Sequence, residues 1–240
     1  MERRGGTPLG NLEKYALYGA AVVSLLFVIW LLIRNLRREM EARHFHAYLR
    51  RVGAEGERQL LHTLLHLPGY KKVLTNLYLP ARRRGNLTEV DLVCITKRGV
   101  FVVESKNYAA WIYGTDTDKN WLATFPNGDE FQFYNPILQN EAHIHALMRV
   151  LETDMKEYFT SVIVFGERTV FKDVYLEYTD AVLTLPRRFR RTMKKLMRRS
   201  PIHMSREDVK AMYNRLVPYG NADKETVKAH LRQMQRDNQR

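Results

Sequence analysis

Cysteine is almost absent from the chain, which has one, Cys94, among its 240 residues. A single cysteine cannot form an internal disulfide, and this excludes a fold that depends on several disulfides. Cys94 lies in the apolar stretch Val90–Ile95 and is expected to be a small buried hydrophobic residue. The composition therefore gives no indication of an oxidising compartment for the main domain.

Acidic residues are scarce relative to basic ones: 26 Asp and Glu stand against 39 Lys and Arg, for a formal net charge of +13. A balance this basic favours an anionic partner, either a nucleic acid or anionic lipid headgroups, although a basic surface in contact with water alone has the same composition. Internal repeats and low-complexity tracts are also missing, while a hydrophobic fraction of 45% is sufficient for a packed core. We therefore expect a globular domain with an anionic partner.

Charged residues are missing from the stretch Tyr15–Ile33. As an α-helix this stretch is about 28 Å long at ~1.5 Å per residue, which matches a hydrocarbon core of about 30 Å. A buried soluble helix is one alternative, but such a helix has a polar face and this one has none. A cleaved signal peptide is another, but no small-residue cleavage site follows. The stretch predicts a retained transmembrane helix.

The flanks of this helix predict its orientation. Three basic residues precede it, whereas six lie in the stretch that follows: Arg34, Arg37, Arg38, Arg43, Arg50 and Arg51. Since such residues are retained on the cytoplasmic side, the bulk of the chain is expected in the cytoplasm. The predicted organisation is a short extracytoplasmic segment (residues 1–14), the membrane helix (15–33), a basic stalk (34–51), a main domain (52–185) and a basic helical region (186–240).

Helical and extended patterns alternate along the main domain. Leucines at helical spacing predict a helix over Glu55–His66, and Asn140–Tyr158 has the same character. Apolar stretches bounded by turn residues predict strands at Lys72–Leu79, Glu89–Thr96, Val100–Asn107, Ala110–Thr115, Ser161–Phe165, Thr169–Phe171 and Ala181–Leu185. Two more helices are expected near the C-terminus, with Ser205 and Asp223 as N-caps. Helices that flank a small mixed sheet make this an α/β or α+β domain.

One predicted hairpin carries the most chemical information. Lys97–Gly99 separates two strongly apolar segments and predicts a β-turn between antiparallel strands. If the loop has an even number of residues centred on Lys97-Arg98, residue i pairs with residue 195 − i, and Asp91 lies opposite Glu104 with Cβ atoms about 5 Å apart. Lys106 follows two residues after Glu104 and faces the same side of the strand.

Two carboxylates this close repel each other, and burying them is costly unless they are paired or bound to a cation. Oxygen ligands favour Mg²⁺ or Mn²⁺, so Asp91 and Glu104 are candidate ligands of a shared divalent ion. The alternative is a salt-bridge cluster of Asp91, Glu104 and Lys106 at the end of a strand, and the spacing alone does not separate the two.

The pattern Asp91…Glu104-Ser105-Lys106 resembles the D…(D/E)-x-K core of the PD-(D/E)xK nuclease superfamily. The surrounding sequence resembles the nuclease-related domain (NERD) family in particular, from about Arg51 to Glu152 and more weakly to Leu216. The matching segments are Gly53–Glu57, Asn76–Pro80, Thr88–Asp91, Lys97–Tyr108, Gly114, Trp121, Asn135–Asn140 and His143. One departure is Val90, where the superfamily motif has a proline.

This resemblance implies a restriction-endonuclease-like core and a metal site within it. Asp91, Glu104 and the carbonyl of Ser105 would bind Mg²⁺ or Mn²⁺. Lys106 would orient the attacking water or offset charge on the scissile phosphate. Such a site hydrolyses phosphodiester bonds by metal-activated water.

The same resemblance assigns two further residues. Glu57 on the leading helix would reach the metal or its water, and Gln139, with His143 one helical turn later, would border the site. The alternatives are a solvated helix residue for Glu57 and a capping or core amide for Gln139. The resemblance thus implies a membrane-anchored nuclease acting on DNA. The rival hypotheses are a catalytically silent nucleic-acid-binding or scaffolding module and an adaptor that binds anionic lipid.

Residues 186–199 form the most basic stretch of the chain. Phe189, Met193 and Leu196 recur at helical spacing, so the stretch predicts an amphipathic helix. Its charges are candidate contacts for a nucleic-acid backbone or for anionic lipid, unless the helix only packs its apolar side and leaves its charges in water. The basic residues are Arg187, Arg188, Arg190, Arg191, Lys194, Lys195, Arg198 and Arg199.

Overall fold

The computed structural model describes residues 18, 24–34, 54–82 and 86–220, and the chain falls into two units, Met1–Arg50 and Arg51–Arg240. In the first unit residues 24–34 are helical, and most of their large apolar side chains are exposed. Within the predicted membrane helix (15–33), residues 18 and 24–33 are described, whereas residues 15–17 and 19–23 and nearly all of the stalk (34–51) lie outside the described residues. Within the described ranges, no helix combines the length and the hydropathy that a bilayer crossing requires.

Strands and helices of the second unit follow one another in mixed order. The strands are β1 (Lys71–Pro80), β2 (Leu87–Thr96), β3 (Gly99–Lys106), β4 (Trp111–Thr115), β5 (Asn120–Thr124), β6 (Glu130–Tyr134), β7 (Phe159–Phe165), β8 (Val170–Tyr175) and β9 (Val182–Thr184). The helices are α1 (residues 54–65), α2 (Pro136–Leu151), α3 (Pro186–Arg199) and α4 (Arg206–Leu216), with short 3-10 turns at Lys156–Tyr158 and Val217–Tyr219.

A mixed five-stranded sheet with the order β1-β2-β3-β7-β9 forms the centre of this unit. The neighbours β1, β2 and β3 are antiparallel, whereas β7 runs parallel to β3 and β9 runs parallel to β7. Helices cover both faces: α1 and α3 pack on one through Leu64 and Phe189, and α2 and α4 pack on the other through Leu147 and Val209. Because both faces are covered, Val100–Val103 of β3 is buried without a break.

A second sheet of four strands has the order β6-β5-β4-β8 and its own apolar core around Trp121 and Phe165. The sequence predicted a single small mixed sheet, and this part of the prediction is wrong. The missing strands, β5 and β6, are five residues long, and only alternate residues in them face the core. Strands this short with a polar outer face give a weak sequence pattern.

The predicted helix over Asn140–Tyr158 is wrong at both ends. Helix α2 begins four residues earlier because Asn135 is its N-cap, with a side-chain oxygen that accepts from the backbone N–H of Ile137 at 2.9 Å, and because a proline follows it. The helix ends seven residues earlier because Glu152 adopts a left-handed conformation with φ 53°. The earlier start places Gln139 in the first turn of α2.

The other predicted elements are confirmed within one to four residues at each end. The hairpin has the predicted register, from Thr96 opposite Gly99 to Leu92 opposite Val103. Ser205 caps α4 in a reciprocal arrangement, in which its hydroxyl accepts from Asp208 N at 3.0 Å and the Asp208 carboxylate accepts from Ser205 N at 2.8 Å. The predicted cap at residue 223 lies outside the described residues.

Candidate active site

The hairpin register places Asp91 and Glu104 at the end of its ladder. The last paired residues are Leu92 and Val103, so the two carboxylates belong to the next residues along each strand. The backbone N–H of Ser105 donates to Oδ2 of Asp91 at 2.8 Å, which ties the Asp91 side chain to β3. The two acidic residues therefore meet where the antiparallel pairing of β2 and β3 stops.

An irregularity in β1 lies beside Asp91. Asn76 has a positive φ of 51°, and the pairing of β1 with β2 skips Asn76 and Asp91. As a result Val90 and Val93 lie in the same core cluster, although residues three apart face opposite sides of a regular strand. Since Val90 faces the α2 side, its neighbour Glu89 faces the α1 side, where Glu57 is located.

Glu104 and Lys106 form a buried ion pair on β3. Lys106 Nζ lies 2.7 Å from Oε1 of Glu104 and donates to Oε1 of Gln139 at 2.9 Å, and the side chains of Lys106 and Glu104 are 15% and 2% exposed. Burial alone would lower the pKa of Lys106, but the charges of Glu104 and Asp91 and the nearby Tyr108 raise it above its usual value. Lys106 is therefore a permanent cation in the site.

Helix α2 is fixed to the sheet by a buried amide. Asn140 Nδ2 donates to the carbonyl of Val102 at 2.9 Å and to Oγ of Ser161 at 2.8 Å. This anchor sets the position of the neighbouring Gln139 and of His143, one turn further along. His143 is 2% exposed, and its Nδ1 lies 3.4 Å from Oε2 of Glu104.

Glu57 reaches the same site from α1. Burial, followed by the charges of Glu89 and Glu104, raises the pKa of Glu57 from 4.5 to about 7. The preceding residue is Gly56, where an added Cβ would lie 2.8 Å from Nδ2 of Asn107. A glycine at this position thus lets the start of α1 approach the end of β3 closely enough to bring Glu57 to the other acids.

The acidic groups of the site suit a divalent cation. Burial, then the charges of Glu104 and Glu57, raise the pKa of Asp91 well above its usual range, against the opposing effects of Lys106 and the Ser105 N–H. Oε2 of Glu104 is buried and accepts no hydrogen bond from the described residues. A shared cation would satisfy that oxygen and relieve the repulsion between the carboxylates. No three His, Cys, Asp or Glu side chains in the described ranges form a group that could by itself hold a metal ion.

The sequence analysis assigned no role to Glu89, which belongs to the same cluster. Its Oε1 accepts from the Tyr78 hydroxyl at 2.8 Å and from Asn76 Nδ2 at 3.3 Å. Burial and the hydrogen bond to Glu89 raise the pKa of Tyr78. The available signal was an acidic residue two positions before Asp91 within an apolar strand. The irregularity at Asn76, which turns Glu89 towards α1, has no such signal.

Residues 52–166 match the family model of the nuclease-related domain (NERD). The chain is also similar to an uncharacterized protein of Bacillus anthracis, with 27% identity over 149 residues that cover 62% of this chain and 67% of that protein. No solved structure matches the chain. These findings support the nuclease-related domain that the sequence predicted.

The matched range contains every residue of the carboxylate site. The structure brings together five residues from strands and helices that are far apart in sequence: Glu57, Asp91, Glu104, Lys106 and Gln139. The basic helix α3 lies beyond the nuclease-related domain match, and its predicted cations are not part of this cluster. Its residues Phe189 and Met193 are fully buried against the five-stranded sheet, so its apolar side is covered.

Proposed function

We propose that this protein is a metal-dependent nuclease that hydrolyses DNA phosphodiester bonds by metal-activated water. One observation carries the proposal: two carboxylates and a buried ammonium converge at the end of the β2–β3 ladder, and Oε2 of Glu104 is buried without a hydrogen bond. A buried carboxyl group with a raised pKa, such as that of Asp91, is typical of functional sites. The nuclease-related domain match supports the same activity.

Asp91, Glu104 and the carbonyl of Ser105 are the proposed ligands of Mg²⁺ or Mn²⁺, in a restriction-endonuclease-like core. Such an ion would polarise the phosphodiester and lower the pKa of a water molecule. The N–H of Ser105 already holds Asp91 in place, and the His143 imidazole flanks Glu104. These contacts orient the two carboxylates before any ligand arrives, which reduces reorganisation during the reaction.

Lys106 and Glu57 have complementary proposed roles. Lys106 is held by Glu104 and by Gln139, so its ammonium is oriented to offset negative charge on the phosphate under attack. Glu57 has a pKa of about 7, so near neutral pH it is present in both protonation states. A carboxyl group with that pKa is suited to accept a proton from water or to return one to the leaving oxygen.

The test is cleavage of plasmid and single-stranded circular DNA by the full chain, with Mg²⁺, Mn²⁺ or EDTA. We expect cleavage with either metal and a loss of at least about 100-fold in Asp91→Ala, Glu104→Ala and Lys106→Ala. Lys106→Ala should still bind Mn²⁺ in calorimetry, because the ligands remain. Glu130→Gln, which removes an exposed carboxylate on β6, is the matched control and should cleave like the wild type.

Two results would contradict hydrolysis. The first is a wild-type protein that cleaves neither DNA with either metal. The second is a set of three variants that cleave as fast as the wild type. Variants that only unfold, as judged by circular dichroism, would instead make the cluster a structural salt-bridge network.

The second candidate function is a catalytically silent nucleic-acid-binding or scaffolding module. The observation in its favour is that Lys106 already neutralises Glu104 at 2.7 Å and is hydrogen-bonded to Gln139, so the ion pair is satisfied within the protein. DNA binding by a wild-type protein that shows no cleavage and no Mn²⁺ binding would favour this module.

The proposal also places the domain at a membrane, on its cytoplasmic side. Its support is the uncharged stretch Tyr15–Ile33, the arginines that follow it, and the exposed apolar side chains of the helical residues 24–34. Fractionation and a C-terminal topology reporter test it. We expect protein in the membrane fraction and a reporter active in the cytoplasm, whereas soluble protein or a reporter active only outside the cytoplasm would refute the placement.

A further inference from the structure

Helix α3 carries a concentration of positive charge that the described protein does not neutralise. Its fourteen residues include eight Arg and Lys and no acid. Arg187 at its start pairs with Glu167. In the ranges that the structure describes, the side chains of the other seven cations form no ion pair and no hydrogen bond. Their mutual repulsion is relieved only by water, salt or an anionic partner.

Tertiary structure adds an arginine from another part of the chain. A surface concavity of about 550 Å³ is lined by Arg98 of the β2–β3 turn together with four cations of α3, Arg190, Arg191, Lys194 and Arg198. We call this concavity the basic groove. Arg98 Nη1 lies 2.9 Å from Nε2 of His203 and donates to the carbonyl of Ser200 at 3.4 Å, so its guanidinium is held in place.

The basic groove lies at the opposite end of the sheet from the carboxylates. Arg98, immediately before β3, and Glu104 are six positions apart, which is about 20 Å at ~3.3 Å per residue. Helix α3 connects the two ends. It starts beside Glu167, two residues after Phe165, the last residue of β7, which pairs with Lys106. Residues of its last turn line the groove. Fourteen residues span about 21 Å at ~1.5 Å per residue.

The burial of α3 decides between two anionic partners. A basic helix binds a lipid surface by inserting its apolar side, but Phe189 and Met193 are 0% exposed and belong to the protein core. The exposed cations of α3 line the basic groove and follow the helix, so successive phosphates of one strand can contact successive cations. Arg and Lys in such rows contact the phosphate backbone without reading sequence.

We infer that the basic groove and the exposed side of α3 bind the phosphate backbone of DNA, and hold it about 20 Å from the point of cleavage. The choice of DNA rests on the proposed function, whereas the binding itself does not require catalysis. At ~3.4 Å per base pair, α3 covers about six base pairs. A substrate must therefore extend roughly that far beyond the scissile bond to gain full affinity.

The test is fluorescence anisotropy of the full chain, purified in a neutral detergent, with a labelled duplex of about 20 base pairs, which exceeds the length that α3 covers at ~3.4 Å per pair. EDTA prevents metal-dependent cleavage, so a failure of the nuclease proposal does not affect this measurement. The triple variant Arg190→Gln, Arg191→Gln, Lys194→Gln is compared with Lys119→Gln, Arg168→Gln, Lys210→Gln, which removes three exposed charges elsewhere. We expect the slope of log affinity against log salt to fall by about 2 to 3 in the first variant and to stay unchanged in the second.

Substitution of Arg98 distinguishes DNA binding by the whole groove from DNA binding by helix α3 alone. Arg98→Gln should weaken DNA binding several-fold, whereas Arg98→Lys should retain most of it. Because Arg98 also holds Ser200 and His203, the melting temperature is measured beside the affinity. If Arg98→Gln is unfolded, Arg198→Gln tests the α3 side of the same groove: Arg198 makes no side-chain hydrogen bond or ion pair among the described residues, and its loss should also weaken DNA binding several-fold.

Three outcomes would overturn the inference. One is equal loss of DNA affinity in the two triple variants, because the effect would then be one of net charge alone. Another is full retention of affinity in the groove variants. The third is a groove variant that keeps its DNA affinity but loses binding to vesicles of phosphatidylcholine with phosphatidylserine, since the partner would then be a lipid surface.

Discussion

The two ends of the five-stranded sheet carry opposite charge, and they differ in whether that charge is buried or exposed to solvent. Where β3 ends, Asp91, Glu104 and Lys106 are enclosed, and the pKa values of Asp91 and Lys106 are shifted. Where β3 begins, arginines and lysines line an open groove, and their charged groups are exposed to solvent. Exclusion of water strengthens each interaction at the first end, whereas solvent and salt screen the second. Burial, rather than charge alone, therefore separates the proposed site for chemistry from the proposed surface for binding.

The largest expected effect of a single substitution on stability lies at the buried end. Lys106→Met leaves Glu104 as a buried carboxylate without its cation, so we expect the free energy of unfolding to fall by about 3 kcal/mol in metal-free buffer. Urea denaturation measures this. Arg190→Gln is the matched control, because it removes one cation from the groove, and it should change the free energy of unfolding by less than about 0.5 kcal/mol. Equal effects of the two substitutions would break the comparison between the ends.

Removing an acid at the same end should have the opposite sign. Asp91→Asn keeps an oxygen that can accept from the Ser105 N–H and removes repulsion with Glu104 and Glu57. We expect a melting temperature equal to or above that of the wild type without metal, and a loss of stabilisation by added Mn²⁺. A lower melting temperature would show that the Asp91 charge is a structural partner of Lys106.

The pH dependence of stability should be the smallest of these effects, because Glu57 is only partly buried and solvent screens its charge. Glu57 has a pKa raised from 4.5 to about 7, so between these values the folded state binds more protons than the unfolded state. Stability of the metal-free protein should therefore fall as the pH rises from about 4.5 to about 7. Melting curves across this range should show a decline of a few degrees. Glu57→Gln should flatten the profile and Arg190→Gln should leave it unchanged, whereas a wild-type profile that rises with pH would contradict the shift.

Much of the buried end was predictable from the sequence. The turn at Lys97–Gly99 and the apolar segments beside it predicted the hairpin register, and that register carried Asp91 and Glu104 to the end of one ladder. A hairpin can be predicted in this way because its partners are close in sequence and its turn sets their pairing. The extent of α3 was predicted for the same reason, since its apolar and basic residues alternate at helical spacing.

The predictions that failed depend on contacts between distant segments. The true start of α2 depends on Asn135, whose side chain also donates to the carbonyls of Thr115, Asp116 and Asp118 in another part of the chain. The strand β5 is held by its pairing with β4, and β6 by its pairing with β5, and both share an apolar core with β7. Each of these strands is too short for its apolar residues to predict a strand from the sequence.

The sequence by itself determined what periodicity and short-range pairing can specify: the mixed helix and strand composition, the hairpin with its acids and lysine, and the basic amphipathic helix. Only the tertiary structure decided which side chains share a site. Glu57 and Glu89 meet because Gly56 allows a close approach of α1 and because the irregularity at Asn76 changes the alternation of side chains along β2. Arg98, from the β2–β3 turn, lines one groove with the cations of α3. Such meetings depend on the packing of two sheet faces around one core, which no local pattern of residues encodes.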